Sequence, residues 1–179
     1  MEAILATNLH GGLSKDGQIP WKSKKDMRFF YQTTKNNIVI MGRNTYFSLP
    51  DNMRPLKNRL NIVLTKNPHK YINDYKSIPG LVFTDDDNIH LYIQKNRVKL
   101  HELYNKCGVP LSTDFTIFFI GGKQIYERYI PLCDTVWHTT IKGDYECDLF
   151  FNYDYENLFK AEIVDEDDEL KIVEWKKIF

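Results

Sequence analysis

Asp26 is the residue of this chain whose type and neighbours most directly suggest acid-base chemistry. It lies five residues after the apolar turn Ile19-Pro20-Trp21, and Met27, Phe29, Phe30 and Tyr31 crowd its own turn. On a helix, Met27, Phe30 and Tyr31 fall at i+1, i+4 and i+5 from Asp26. They then form one face that includes the acid, so the carboxylate is expected to point inward. A carboxylate among apolar groups is unfavourable unless hydrogen-bonded or protonated, and its pKa tends to rise. The competing reading is a solvent-facing Asp favoured by the helix dipole.

Two further clusters suit an anion. Asn37–Met41 is a β-branched apolar run that ends in Gly42-Arg43-Asn44-Thr45, with Tyr46, Phe47 and Leu49 following at partly helical spacing up to Pro50. Strand, tight turn and helix in that order bring free N–H groups and a positive dipole end to the strand's C-terminal edge. Lys66 follows the next strand, Arg59–Thr65, and adds a second cation at that edge. Phe115–Gly122 is an apolar strand closed by Gly121-Gly122, and Lys123–Tyr129 behind it has helical character. Paired glycines permit backbone geometry and close ligand approach that any side chain would block. Two such turns fit a ligand with separated phosphates, such as a dinucleotide, although neither is a Gly-x-Gly-x-x-Gly fingerprint.

The elements that must position these groups alternate. Ala3–Thr7 reads as a buried first strand, and Asn8–Gln18, with Gly11, Gly12, Ser14, Asp16 and Gly17, as a mobile flap. Ser23 is an acceptable N-cap for a helix over Lys24–Thr34. Gly80–Thr84 is a short strand, and Asp85-Asp86-Asp87 reads as the cap and acidic first turn of a helix, not as a metal site. The region 88–113 holds one helix or two, with His90 and His101 at the surface or its boundary. Thr135–Ile141 is a strand, and Phe159–Glu166 with Leu170–Phe179 alternates across an acidic turn like a hairpin. The sum is an α/β fold: a mostly parallel central sheet flanked by helices, with a C-terminal antiparallel hairpin.

The 179 residues suffice for one domain, expected over 1–179. Lys+Arg 24 balances Asp+Glu 24 without a basic stripe, which disfavours nucleic acid or an anionic membrane as partner and favours a small molecule. Three cysteines, Cys107, Cys133 and Cys147, lack metal or redox spacing and read as reduced fillers. The start has no basic, apolar leader and no stretch reaches membrane-span length, so a cytoplasmic location is expected.

Ile19-Pro-Trp21, Asp26, Met41-Gly-Arg-Asn-Thr45, Arg54-Pro-Leu, Arg59 and Ile120-Gly-Gly122 with Tyr126, in that order across nearly the whole chain, resemble dihydrofolate reductase. The resemblance implies reduction of dihydrofolate to tetrahydrofolate, with a hydride passed from NADPH to pterin C6 and a proton to N5. Asp26 matches the active-site acid, Trp21 the residue that positions a water, and Thr139 the threonine bonded to the acid. Ile4 and Ile120 match carbonyls at the pterin, Ala6, Met27, Phe30 and Leu49 its apolar walls, and Arg59 the clamp on the substrate's glutamate. For the cofactor, the matches are Gly42, Arg43, Asn44 and Thr45; Leu64, Thr65 and Lys66 at the adenosine 2′-phosphate; and Gly121, Gly122, Lys123, Gln124, Ile125 and Tyr126. Ala6, Leu13 and Ile19 complete the nicotinamide side, no metal is implied, and the glycines are expected to be joined by a cis peptide. Antifolate-type small molecules, a monomer and a separate thymidylate synthase are the implied partners.

Four departures stand out: Ser14 in place of a loop glycine, predicted to stiffen the flap; Asn44 where a basic residue is common; the cationic run Lys22–Lys25; and a long 88–113 region. A pyrimidine reductase of the riboflavin pathway shares fold and nucleotide turns but needs neither Asp26 nor Arg59. A folate-binding module without chemistry is the non-enzymatic alternative.

Overall fold

A computed structural model describes residues 1–179. In chain order the elements are β1 (Glu2–Thr7), β2 (Gly12–Ser14), α1 (Lys24–Thr34), β3 (Ile38–Gly42), α2 (Arg43–Ser48), β4 (Leu60–Leu64), α3 (His69–Tyr75), β5 (Leu81–Thr84), α4 (Ile89–Lys95), α5 (Arg97–Lys106), β6 (Ile117–Phe119), α6 (Lys123–Tyr129), β7 (Thr135–Ile141), β8 (Leu149–Phe150), β9 (Phe159–Glu166) and β10 (Leu170–Lys177). They divide into two compact units, one of Met1–Thr33 with Phe119–Phe179 and one of Thr34–Phe118.

In the first unit the strand order is β1-β7-β10-β9. β1 and β7 are parallel, with Ala6 opposite Thr139, whereas β10 runs antiparallel to both β7 and β9. Strand alternation sends Ile4, Ala6, Trp137, Thr139 and Ile141 to one face and Leu5, Thr7, His138 and Thr140 to the other. On the first face Trp21, Ile141, Leu170 and Ile172 form a buried cluster against which Ala6, Phe29 and Cys147 pack. The ring of Phe29 meets Trp137 edge-on at 5.9 Å.

On the opposite face, the His138 ring bonds the Thr7 hydroxyl at 2.8 Å through Nε2 and the Tyr155 hydroxyl at 3.1 Å through Nδ1. Tyr155 stacks on Trp175, with centroids 4.8 Å apart. Burial lowers the His138 pKa from 6.5 to about 4, because a neutral imidazole satisfies both hydroxyls whereas an imidazolium would lose its hydration.

In the second unit the order is β5-β4-β3-β6, with β3, β4 and β5 parallel. β4 is buried along its whole length and β3 along all but Gly42, as expected of strands covered on both faces. The side chain of Asn61, fully buried, bonds the backbone of Leu56 and Arg59 and fixes the chain entering β4.

Several expectations are corrected. The stretch 8–18 carries structure that the sequence does not show: β2 pairs with β8, and buried Asn8 accepts the N–H groups of His10 and Gly12 through Oδ1. A side chain on Gly12 would meet Cys147 Cβ at 2.5 Å, so glycine is what lets this ribbon close. Ser14 sits in β2, its carbonyl accepting from Asp148, and is one tie among several. Asp86 caps the turn at Asn88, so the aspartates precede α4, which starts at Ile89. His90 is buried, not at the surface, and 88–113 resolves into the two helices α4 and α5.

Between about pH 6.5 and 4 the unfolded chain takes up a proton that folded His138 refuses, so its contribution to stability is complete above pH 6.5 and disappears as pH falls to 4. His138→Gln should therefore reduce, by roughly 2 kcal/mol, the stability difference between pH 7 and pH 5 in urea unfolding.

Candidate active site

In the first unit Asp26 occupies the first turn of α1, held there by the capping interactions of Ser23: its hydroxyl accepts the Asp26 N–H at 3.1 Å and its carbonyl accepts that of Met27 at 3.0 Å. The Asp26 carboxylate is partly buried and accepts a hydrogen bond from the side chain of Thr139 on β7. Its pKa is raised from 3.8 to about 6, chiefly by burial, against a lowering from the Thr139 bond and with a smaller rise from the Glu169 charge. Ile172 of β10 lies opposite Thr139 in the ladder, so an apolar side chain flanks the acid's hydroxyl partner. At neutral pH most molecules carry the anion, yet a useful fraction is protonated, which suits a group that must both bind a cationic or amide-like edge and favour proton delivery.

The helix face differs from expectation. Phe29, not Met27, packs inward against Trp137, while Met27 is 53% and Tyr31 37% exposed. The acid's i+3 neighbour shares its inward direction, and i+1 and i+5 are rotated away. Phe30 is partly buried, as is Ala6, and Ile4 is fully buried. Trp21 is buried in the cluster below the acid, Leu13 is partly buried, and Ile19 is 63% exposed.

Ile120 and Gly121 are buried at the end of β6, and the Gly121–Gly122 peptide is cis. Gly121 has φ +114°, and a Cβ there would lie 3.0 Å from the hydroxyl of Tyr126, so only glycine fits. That hydroxyl donates to the Ile4 carbonyl at 2.9 Å, tying α6 to β1, and burial pushes the phenol far above its ordinary range. Lys123, Gln124 and Ile125 open α6 directly behind Gly122, with no side-chain cap on their N–H groups.

In the second unit the parallel register sets Gly42 opposite Leu64. Arg43, Asn44 and Thr45, which open α2, therefore leave the same strand edge as Thr65 and Lys66. Arg43, Asn44 and Lys66 are exposed, Thr45 and Thr65 partly so, and α2 likewise starts behind a glycine without a side-chain cap. Arg43 reaches the Tyr71 hydroxyl at 3.4 Å; α3, which carries that tyrosine, escapes sequence reading because no strong apolar period marks 69–75. Arg59 is 6% exposed and is held by the Lys57 carbonyl at 2.8 Å and the Thr34 hydroxyl at 3.2 Å. Leu49 is partly buried, its carbonyl accepting from Arg54, whose peptide to Pro55 is cis. No group of His, Cys, Asp and Glu residues could hold a metal ion.

The chain is similar to several known proteins. A family model described as dihydrofolate reductase matches residues 1–174. A dihydrofolate reductase of Ureaplasma parvum serovar 3 is 29% identical over 167 residues, spanning 92% of this chain and 91% of its own length. One from Aedes albopictus is 33% identical over 158 residues, 83% of this chain and 76% of its own length. Among solved structures, dihydrofolate reductase from Enterococcus faecalis complexed with NADP(H) and RAB-propyl matches with a TM-score of 0.69 at 25% identity, covering 99% of this chain and 96% of that one.

An acid with a raised pKa destabilises the fold once it ionises: Asp26 lowers stability as pH rises from about 3.8 through about 6, since the folded state holds its proton longer than the unfolded one. Asp26→Asn keeps an oxygen for Thr139 and removes the charge, so it should raise unfolding stability at pH 7 by roughly 2–3 kcal/mol, with little difference left near pH 3.

Proposed function

The chain belongs to the dihydrofolate reductase family, and on that premise we propose how its residues divide the work of reducing dihydrofolate to tetrahydrofolate with NADPH. The enzyme is an NADPH-dependent oxidoreductase. The observation that carries the residue-level reading is a partly buried carboxylate, seated on Thr139, with a pKa near 6.

Asp26 holds the pterin's N3 and 2-amino edge by charge-assisted hydrogen bonds and favours a proton at N5 through water ordered by Trp21. Thr139 fixes the carboxylate's orientation. The carbonyls of Ile4 and Ile120 accept from the same ring, with Ala6, Met27 and Phe30 as apolar contacts; the exposure of Met27 leaves it free to make one. In the second unit Leu49 supplies an apolar contact and Arg59 binds the carboxylate of the glutamate tail, for which a planar fork is better suited than an ammonium.

NADPH, when bound, supplies the hydride delivered to pterin C6. Each unit offers donors that suit a phosphate group: in the second, α2 opens behind Gly42 without a side-chain cap, and in the first, α6 opens likewise behind Gly122, where a Cβ at Gly121 would crowd Tyr126. Gly42, Arg43, Asn44, Thr45, Leu64, Thr65 and Lys66 would bind the phosphate and adenosine end. Gly121, Gly122, Lys123, Gln124, Ile125 and Tyr126 would bind the pyrophosphate, and Ala6, Leu13 and Ile19 the nicotinamide side. Asn44 brings no charge, so discrimination for the 2′-phosphate falls to Arg43 and Lys66.

Residues 1–179 then act as a single reductase domain, monomeric and cytoplasmic, alongside a separate thymidylate synthase. Antifolate-type molecules compete at the pterin edge of Asp26. No helix is long and apolar enough to cross a membrane.

An absorbance assay with dihydrofolate and NADPH tests the reading. Asp26→Asn should lose at least about a hundredfold in turnover at pH 7, within the range of general acid-base contributions, while still binding NADPH. Arg59→Lys should raise the KM for dihydrofolate about tenfold with a smaller change in kcat, the sign of lost uniform binding. Unchanged turnover in Asp26→Asn would remove Asp26 from the mechanism.

A further inference from the structure

The cationic run before Asp26 has a structural partner that the reaction does not explain. Lys25 Nζ lies 3.0 Å from Oδ2 of Asp165, near the end of β9, and 2.5 Å from Oδ2 of Asp167, in the turn between β9 and β10. Its side chain is 33% exposed, less than is usual for a lysine. The turn belongs to a run of five consecutive acids, Asp165–Glu169, whose mutual repulsion needs cations close by. Lys142, just past β7, supplies another: its Nζ donates to Glu166 at 2.8 Å and to the Asp167 carbonyl at 2.7 Å.

Asp167 uses both oxygens. Oδ1 accepts the N–H groups of Glu169 and Leu170 at 2.8 and 2.9 Å, shaping the turn, while Oδ2 receives Lys25. These bonds hold its carboxyl at about 2, so the pair stays charged throughout the working range of pH. Leu170 pairs with Ile141 on β7, two residues beyond the Thr139 that bonds Asp26. The links therefore close a ring: Asp26 to Thr139, along β7 to Ile141, across to Leu170, through Asp167 to Lys25, and back to Asp26 by one peptide.

We propose that Lys25, gripped by Asp165 and Asp167, is a positioning residue for the reductase: it locks the first turn of α1 against the β9–β10 turn so that the Asp26 carboxylate stays seated on Thr139. The inference rests on Asp26 as the acid of the reaction. An isolated surface ion pair contributes little. This one differs in joining two carboxylates to one cation and in closing a ring that contains the acid. The charged and titratable groups around Asp26 are Lys25 beside it, Glu169 from the turn and the buried phenol of Tyr126 on α6; Thr139 of β7 does not ionise.

The test is the pH profile of kcat/KM for the full chain, with Asp26→Asn as reference. Removing Lys25 alone would leave the acidic turn less neutralised and move Asp26 electrostatically, so the informative variant is the charge-conserving pair Lys25→Met with Asp167→Asn. The amide introduced by Asp167→Asn keeps an oxygen for the N–H groups of Glu169 and Leu170, so that only the acceptor for Lys25 is lost. Once α1's first turn is released, the acid is better hydrated and the profile's midpoint should fall by about half a unit or more, with kcat/KM at pH 7 down about threefold. Lys25→Arg, which can grip both carboxylates, should retain the wild-type profile. A pair variant whose midpoint and turnover match wild type, even with a lower melting temperature, would overturn the proposal and leave the clamp a stability feature. A wild-type profile lacking any ionisation that Asp26→Asn abolishes would instead refute Asp26 as the acid, and the positioning role would fall with it.

Discussion

The hydrogen bond between the Asp26 carboxylate and Thr139 is the constraint on which this molecule turns. A carboxylate partly withdrawn from water needs a partner that does not neutralise it, and a threonine hydroxyl is such a partner: it lowers the pKa by less than burial raises it, leaving a value near 6. An arginine in that place would pin the acid as a permanent anion. The surroundings serve this compromise. Ser23 caps α1 so that Asp26 falls in the first turn, and the parallel pairing of β1 with β7 puts Thr139 beside Ala6 on the face that α1 covers. Trp21, Phe29 and Ile172 then exclude water from below.

β7 places two opposite demands on neighbouring residues. Thr139 faces the acid, and His138, one residue earlier, faces Thr7 and Tyr155 on the other side of the sheet. Burial favours the uncharged form at both places, raising the acid and lowering the base. Their effects on stability have opposite signs between about pH 4 and 6, so the pH dependence of folding there is a difference between two contributions. In the proposed mechanism the acid takes part in the chemistry, whereas the half-buried histidine links Thr7 and Tyr155. Both results follow from the period of two along a strand and from nothing more specific.

Much of this is legible in the sequence. The apolar runs over 3–7, 37–41, 59–65 and 115–122 correspond to β1, β3, β4 and β6 because strands buried on both faces carry continuous apolar signals, and Ser23 marks the start of α1. Asp26, Gly42 and Gly121 are readable because their types are hard to explain otherwise where they stand. The ribbon of β2 and β8 within the expected flap is not legible, since its pairing joins residues far apart in the chain. Of the face expected at i+1, i+4 and i+5, Phe30 is partly buried while Met27 and Tyr31 turn outward, and Phe29 at i+3 packs on the strand surface instead. His90 reads as polar in sequence, yet α4 turns it inward. Lys25 gives no sign of its partners, because an ion pair 142 residues away in sequence leaves no local trace.

The central claim is that this single carboxyl is held part-way between water and core. Carboxyl-carbon NMR titration of Asp26 in the ligand-free enzyme, assigned by comparison with Asp26→Asn, measures that state without reference to turnover. The account predicts a midpoint near 6. A midpoint at the ordinary aspartate value, near 3.8, would mean a hydrated side chain and would contradict it.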